Sequence, residues 1–225
     1  MAATASRFPG ESRAYRAARN KLLAAELKLR KQVEQVAALR RKLPPGGKVP
    51  QDYEFEEGAG KIRLSQLFER GKPTLILYSY MYGPKMDKPC PMCTSFLDGL
   101  DGAAPHIMQR ANLAVVAKSP IARIQEFSHS RGWRNLRLLS SAGNTYNREY
   151  HGESPDGSQM PSLNVFMRRD GAIRHFFHTE VMFAKPEKGQ NARHIDMAWP
   201  LWNILDFTPE GRGKDWYPKL EYSGR

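Results

Sequence analysis

Cys90 and Cys93 are the only two cysteines in a chain of 225 residues. They stand as Cys90-Pro91-Met92-Cys93, behind a Gly83-Pro84 loop that follows the apolar run Thr74 to Met81. Two sulfurs at this spacing can act as a redox dithiol, serve as half of a metal site, or lie inert in a core. The placement favours reactivity. A thiolate at the start of a helix faces free N–H groups and the positive end of the helix dipole, which lowers its pKa. The second sulfur then lies one turn further on, where it can resolve a mixed disulfide. Pro91 stiffens the first turn without removing a needed N–H, and Lys85 and Lys88 can add positive potential. A four-cysteine zinc centre within one chain is excluded, because there is no third cysteine. Two cysteines are also too few for a disulfide framework.

The elements that must hold this pair read as α/β. Tyr53 to Phe55 predicts a short strand, and Ile62 to Phe68 a strand end running into a helical turn. Leu75-Ile76-Leu77, continuously apolar, predicts a strand covered on both faces. A helix begins at Cys90, with a break or bend expected around Gly99 and Gly102. Leu113 to Ala117 predicts a second buried strand, Ile121 to His129 a second helix, and Leu136 to Leu139 a weaker strand. Arg169-Asp170-Gly171 marks a hairpin between Ser162–Arg168 and Ala172–Phe177. A last helix spans His194 to Leu205, interrupted by Pro200, where it either begins or kinks. A parallel βαβ half joined to an antiparallel ββα half is the element order of a thioredoxin fold with one extra strand. The expected architecture is therefore α/β: a thioredoxin-like central mixed sheet flanked by helices, with a long N-terminal helix. The expected organisation is an N-terminal extension and linker over 1–48, the domain over 49–212 and a tail over 213–225.

The formal net charge is +12. Twelve of the 35 Lys and Arg, but only three of the 23 acids, fall in residues 1–50. The basicity thus describes the extension, and no nucleic-acid-reading motif accompanies it. Glu11 to Leu43 reads as one helix, closed by Pro44-Pro45-Gly46-Gly47. Tyr15, Leu22, Leu29, Val36 and Leu43 recur every seven residues, with Ala18, Ala25, Gln32 and Leu39 three further on. This seam can lie on the chain's own domain or pair two copies into a homodimer. No apolar run approaches the roughly 20 residues that span a bilayer. Met1 to Asn20 lacks a secretory h-region, so the expected location is the cytoplasm. No Ser-His-Asp arrangement, phosphate loop or nucleotide fingerprint is present.

Tyr53-Glu54-Phe55, Ile62 to Phe68 and Gly71-Lys72-Pro73 resemble the opening of a peroxiredoxin-type thioredoxin fold. Met81-Tyr82-Gly83-Pro84, the Cys-Pro-Met-Cys segment, Asp98 with Asp101-Gly102, Phe177-His178-Thr179 and Leu205 to Pro209 together resemble a more specific family. It is the bacterial thioredoxin-like family known as domain of unknown function 899. The resemblance covers about residues 11–212. It implies the fold and the dithiol, and says little of the substrate. It also implies that Pro161, in Met160-Pro161-Ser162, is the cis-proline that thioredoxin-like proteins carry beside the dithiol; an ordinary proline at the start of a strand is the other reading. The basic Lys85 and Lys88, the loop from Tyr146 to Gly157 and the stretch from Ala184 to Arg193 depart from the family pattern.

Copper chaperones of the cytochrome-oxidase assembly type share this fold and bind copper with two cysteines and a distant histidine. Cys90, Cys93 and His178 resemble that set, and thiolates with an imidazole suit Cu(I). Met81, Met86, Met92 and Met160 are candidate weak ligands, although methionines in loops mostly fill gaps. His151 and His194 are weaker candidates. An open copper position could oxidise a small aromatic molecule in a pocket of Tyr78, Tyr80, Tyr82, Trp199 and Trp202. Asp98 and Asp101 share a helix face, and either can be the buried proton acceptor of a dithiol enzyme or a surface or capping group.

The leading expectation is a thiol–disulfide oxidoreductase acting on a thiol, disulfide or small-molecule substrate. Cys90 attacks, Cys93 resolves, Pro161 shapes the substrate edge, and no cofactor is required. A copper carrier or copper-dependent oxidase using Cys90, Cys93 and His178 is the alternative. A non-enzymatic dimeric scaffold is a third. No membrane partner is expected, and nucleic acid is disfavoured.

Overall fold

A computed structural model describes residues 7–188, 196–213 and 215–223. The chain divides into two compact units, Met1–Pro44 and Pro45–Arg225. The first is built on helix α1, Arg13–Arg41, capped by the Ser12 hydroxyl, which accepts the Tyr15 N–H at 3.0 Å. Basic Arg40 and Arg41 sit in the last turn, where they complement the helix dipole. No α1 residue is buried, and Tyr15, Leu22, Leu29 and Leu39 of the heptad seam are exposed.

The second unit is a seven-stranded mixed sheet in the order β2-β1-β5-β4-β3-β6-β7. The strands are β1 Glu54–Glu57, β2 Gly60–Arg63, β3 Thr74–Tyr80, β4 Asn112–Ala117, β5 Leu138–Ser140, β6 Ser162–Arg169 and β7 Ala172–His178. The helices are α2 Pro91–Ile107, α3 Ile121–Arg131, α4 Tyr146–Glu149 and α5 Pro200–Leu205, with a 3-10 turn at Leu64–Leu67. β3 runs parallel to β4 and antiparallel to β6, and β6 turns through Asp170 and Gly171 into β7. Both turn residues have positive φ, 51° and 73°, as the twist of a two-residue hairpin requires. This is the thioredoxin-like arrangement, with β5 added beyond β4 and the β1–β2 hairpin closing the edge.

Side chains alternate across β3 and so divide the core in two. Tyr78 and Tyr80 face α2, Cys90, Cys93, Phe96, Trp133, Trp199 and Trp202. Leu75 and Leu77 face the opposite side, with Tyr53, Phe55, Leu64, Leu67, Tyr146 and Phe166. Asn112 pins the approach to β3: its side chain accepts the Glu69 N–H at 3.0 Å and donates to the Lys72 and Thr74 carbonyls at 3.0 and 2.9 Å.

One expectation changes, and a second resolves to one of its two readings. Helix α2 is not broken at Gly99 or Gly102 but runs unbroken through both. Its packed face, Cys93, Thr94, Phe96, Leu97 and Ala104, outweighs the roughly 1 kcal/mol that each glycine costs. Pro105 removes one helical N–H, and the Asp101 carbonyl it leaves free accepts Asn135 Nδ2 at 3.1 Å instead. The last helix begins at Pro200, with Pro at its first turn; the expected start at His194 lies outside the described residues. Helix α4 has no counterpart in the sequence pattern, since four residues carry no readable period.

Candidate active site

The loop from Met81 to Cys90 carries the first sulfur and is tied down along its length. The Cys90 N–H donates to the Met81 carbonyl at 3.0 Å, and the Ser119 N–H to the Tyr82 carbonyl at 2.9 Å. Ser119 Oγ donates to the Gly83 carbonyl at 3.0 Å. Arg123 of α3 donates to the Met86 carbonyl at 2.7 Å, and its guanidinium lies 4.9 Å from the Tyr82 ring centroid. A side chain at position 83 would force Gln159 to shift, because an added Cβ would stand 2.8 Å from Gln159 Cγ.

Cys90 is the N-cap of α2, with extended backbone (φ −60°, ψ 123°) and Pro91 in the first turn. Its carbonyl accepts the Thr94 N–H at 3.0 Å and the Thr94 hydroxyl at 2.9 Å. Its sulfur accepts the Cys93 N–H at 3.5 Å, and no disulfide joins the two cysteines. Cys90 keeps 8% of its surface exposed, and Cys93 keeps none. The two sulfurs titrate far apart. The hydrogen bond from Cys93, then the N–H groups of Cys93 and Met92, lower Cys90 to about 6 against the effect of burial. Burial, then the hydrogen bond to Cys90, pushes Cys93 well up. At neutral pH one sulfur is a nucleophile and the other a thiol. Lys85 and Lys88 are exposed on the loop.

Aromatic and thioether groups surround the pair. Tyr78, Tyr80, Tyr82, Trp199 and Trp202 all belong to the same buried cluster as the cysteines, and Met81, Met86, Met92 and Met182 pack against it. The Tyr80 and Thr94 hydroxyls share a hydrogen bond of 2.7 Å. The Tyr78 phenol hydrogen-bonds the Cys93 sulfur. From the sequence, Tyr78 is only a pocket wall. The alternation Tyr78-Ser79-Tyr80 after Leu77 is the signal that it faces the helix bearing the dithiol.

Other expected site residues fall elsewhere. Among the described residues no peptide bond is cis, so the bond before Pro161 is trans, the form X–Pro bonds prefer by about 0.5–1 kcal/mol. Pro161 is buried and lies one residue before the Ser79–Ser162 pair, at the end of the sheet from which the dithiol loop departs. Asp98 and Asp101 are not acceptors for the dithiol. Asp98 pairs with Arg131 and accepts the Trp133 indole N–H at 2.8 Å. Asp101 accepts the backbone N–H groups of Arg134, Asn135 and Leu136 at 3.0, 2.8 and 3.1 Å.

His178 is not brought to the sulfurs. The register Leu77–Asn164–His178 places it on the sheet face opposite Tyr78 and α2. A β-bulge between Val165 and Phe166 turns His175 onto that same face, where its Nε2 lies 2.9 Å from Asn164 Oδ1. His178 is 8% exposed, stacks on Phe183 and lies 5.6 Å, ring to ring, from His151. Among the described residues, neither of its ring nitrogens has a hydrogen-bond partner. Burial, then His151 and His175, lower its pKa. Among the described residues no group of three His, Cys, Asp or Glu side chains converges to hold a metal ion. His194 lies outside the described residues, and Met160 is held through its N–H, which donates to the Gly152 carbonyl at 3.0 Å. No helix among the described residues is long and apolar enough to cross a membrane.

Several solved structures are similar to this chain at low identity. A mutant of Xylella fastidiosa PrxQ is 14% identical, with 73% of this chain and 96% of that one covered at a TM-score of 0.47. Enterococcus faecalis AhpC is 12% identical, with coverages of 76% and 96% and a TM-score of 0.47. The exposed lipoprotein thioredoxin of Streptococcus pneumoniae is 15% identical, with coverages of 67% and 99% and a TM-score of 0.42. No curated protein matches the chain. A family described as "Bacterial protein of unknown function (DUF899)" matches residues 5–222. That match takes in the strand, the braced loop and the dithiol-capped helix, and the chain belongs to this family.

Proposed function

We propose that the chain is a thiol–disulfide oxidoreductase that works through Cys90 and Cys93. The observation that carries this reading is the separation of the two sulfurs. Cys90, which reaches the surface, is lowered to about 6, and Cys93, fully buried, is raised. Cys90 thiolate attacks one sulfur of a substrate disulfide, forms a mixed disulfide, and expels the other sulfur, which takes up a proton. Cys93 then attacks Cys90, its proton passing to the departing substrate sulfur. The substrate gains two electrons, and the protein is left with a Cys90–Cys93 disulfide, which a dithiol or low-molecular-weight thiol reduces. The reaction needs no cofactor and suits a reducing compartment such as the cytoplasm.

Reduction of a model protein disulfide by the wild type, lost in Cys90→Ser, supports this reading. A wild type without such activity, or a Cys90→Ser variant that keeps it, defeats it. The exposed seam of α1 supports pairing with a second copy of the chain through Tyr15, Leu22, Leu29 and Leu39. Sedimentation of the full chain and of a variant lacking residues 1–44 tests the pairing: equal monomeric masses per chain would exclude it.

A further inference from the structure

The second half of this reaction sets a chemical requirement. Cys93 has no exposed surface and is held as a thiol by burial. It must nevertheless carry negative charge as it attacks Cys90, and again whenever it leaves from the Cys90–Cys93 disulfide. A thiolate forming away from water needs donors already aimed at it. Asp98 and Asp101 are engaged with Arg131, Trp133 and the 134–136 backbone, so neither serves this sulfur.

Two donors do face Cys93: the Tyr78 phenol O–H and the Met81 backbone N–H. Their positions are fixed independently of the sulfur. Tyr78 is fully buried in the middle of the sheet, paired with Val115 on one side and Leu163 on the other. Its ring packs 4.9 Å from Phe96, which lies one turn of α2 beyond Cys93. Met81 follows the strand directly, and its carbonyl accepts the Cys90 N–H at 3.0 Å, so the same peptide segment serves both cysteines. Burial also suppresses the phenol's own ionisation, so Tyr78 remains a donor and does not become a base.

We propose that Tyr78 is a positioning residue of the thiol–disulfide reaction: its O–H, together with the Met81 N–H, forms a preorganised cradle for the transient Cys93 thiolate. This rests on the oxidoreductase reading above. No proton leaves the phenol. Cys93–SH and the mixed disulfide give the Cys90–Cys93 disulfide and the free substrate thiol, and Tyr78 strengthens its hydrogen bond as charge builds on sulfur.

The test follows reaction of the reduced full-length protein with the aromatic disulfide dithiobis-nitrobenzoate by stopped flow. The first nitrothiolate released reports attack by Cys90, and the second reports resolution by Cys93. In Tyr78→Phe the first phase is unchanged, and the second slows about tenfold or more, as loss of a hydrogen bond to a charged group predicts. Its pH midpoint also rises, while that of the first phase stays near 6. Tyr80→Phe is the matched control, since Tyr80 is equally buried but bonds Thr94. An unchanged second phase in Tyr78→Phe overturns the proposal, as does equal slowing in Tyr80→Phe, which would make the effect one of packing. If Tyr78→Phe does not fold, ring-fluorinated tyrosine placed at position 78 gives a stronger donor. The second phase must then accelerate, and no acceleration overturns the proposal. A wild type that releases no second equivalent fails at an earlier point: it removes the oxidoreductase reading itself.

Discussion

The two faces of the sheet each bury groups capable of chemistry, and they treat them differently. On the α2 face, the Cys90 and Cys93 sulfurs, their flanking N–H groups and the Thr94 hydroxyl are all engaged with one another. On the other face, His178 is as deeply buried as Cys90, yet among the described residues both its ring nitrogens lack partners. His151 holds its ring beside it without bonding it, and His175 on the same face bonds Asn164 instead. A reactive group is recognised by the partners arranged around it rather than by its own identity. The dithiol has donors placed for charge that appears only during reaction, whereas the imidazole is neutral by burial.

The largest test of this contrast exchanges the groups. Cys90→Ser abolishes disulfide reduction, while Cys93→Ser completes the first attack and accumulates a mixed disulfide visible by mass spectrometry. His178→Phe leaves the reduction rate unchanged. Loss of activity in His178→Phe, together with stoichiometric copper that depends on both Cys90 and His178, would break the contrast and restore the metal reading.

The next effect is in pH. A lowered thiol is a thiolate above its pKa and is protonated as pH falls through it. Alkylation of Cys90 is therefore nearly flat above pH 7 and falls about tenfold between pH 7 and pH 5. A midpoint near the ordinary thiol value would show that the cap does not activate Cys90.

Stability separates the scaffold from the chemistry. Asn112→Ala strands the Glu69 N–H and the Lys72 and Thr74 carbonyls at the base of β3, and should cost about 2–3 kcal/mol in denaturant unfolding. A loss within experimental error would mean that water replaces the amide.

The smallest effect belongs to His178 again. Replacing an unsatisfied buried imidazole with Phe is expected to be neutral or to raise stability by up to about 1 kcal/mol. A drop of several kcal/mol in thermal unfolding would reveal a partner that the ring depends on.

Much of this was legible in the sequence, because periodicity and turn chemistry act locally. The apolar run at Leu75-Ile76-Leu77, the Asp170-Gly171 turn and Pro91 behind Cys90 each fix their own backbone, and β3, the hairpin and the start of α2 appear where those residues place them. What was not legible depends on contacts distant in the chain. Gly99 and Gly102 read as helix breakers, but they are overruled by a packed face that only the folded sheet supplies. His178 lies in a segment resembling the family, yet which face it takes depends on strand register, and a shift of one residue would reverse it. The bulge that turns His175 the same way has no residue signature. Asp98 and Asp101 share a helix face, as their spacing says, but that face meets the 131–136 segment rather than the dithiol.

Gly83 has a consequence for how such a protein diversifies. A side chain at this position would drive into Gln159, and the residue's carbonyl is already held by Ser119. Substitution at position 83 therefore requires Gln159 to move as well. Pro84, Lys85, Asp87 and Lys88 are exposed on the same loop, free of that constraint. New substrate preferences in descendants of this sequence should therefore arise by replacement within 84–88 sooner than at position 83.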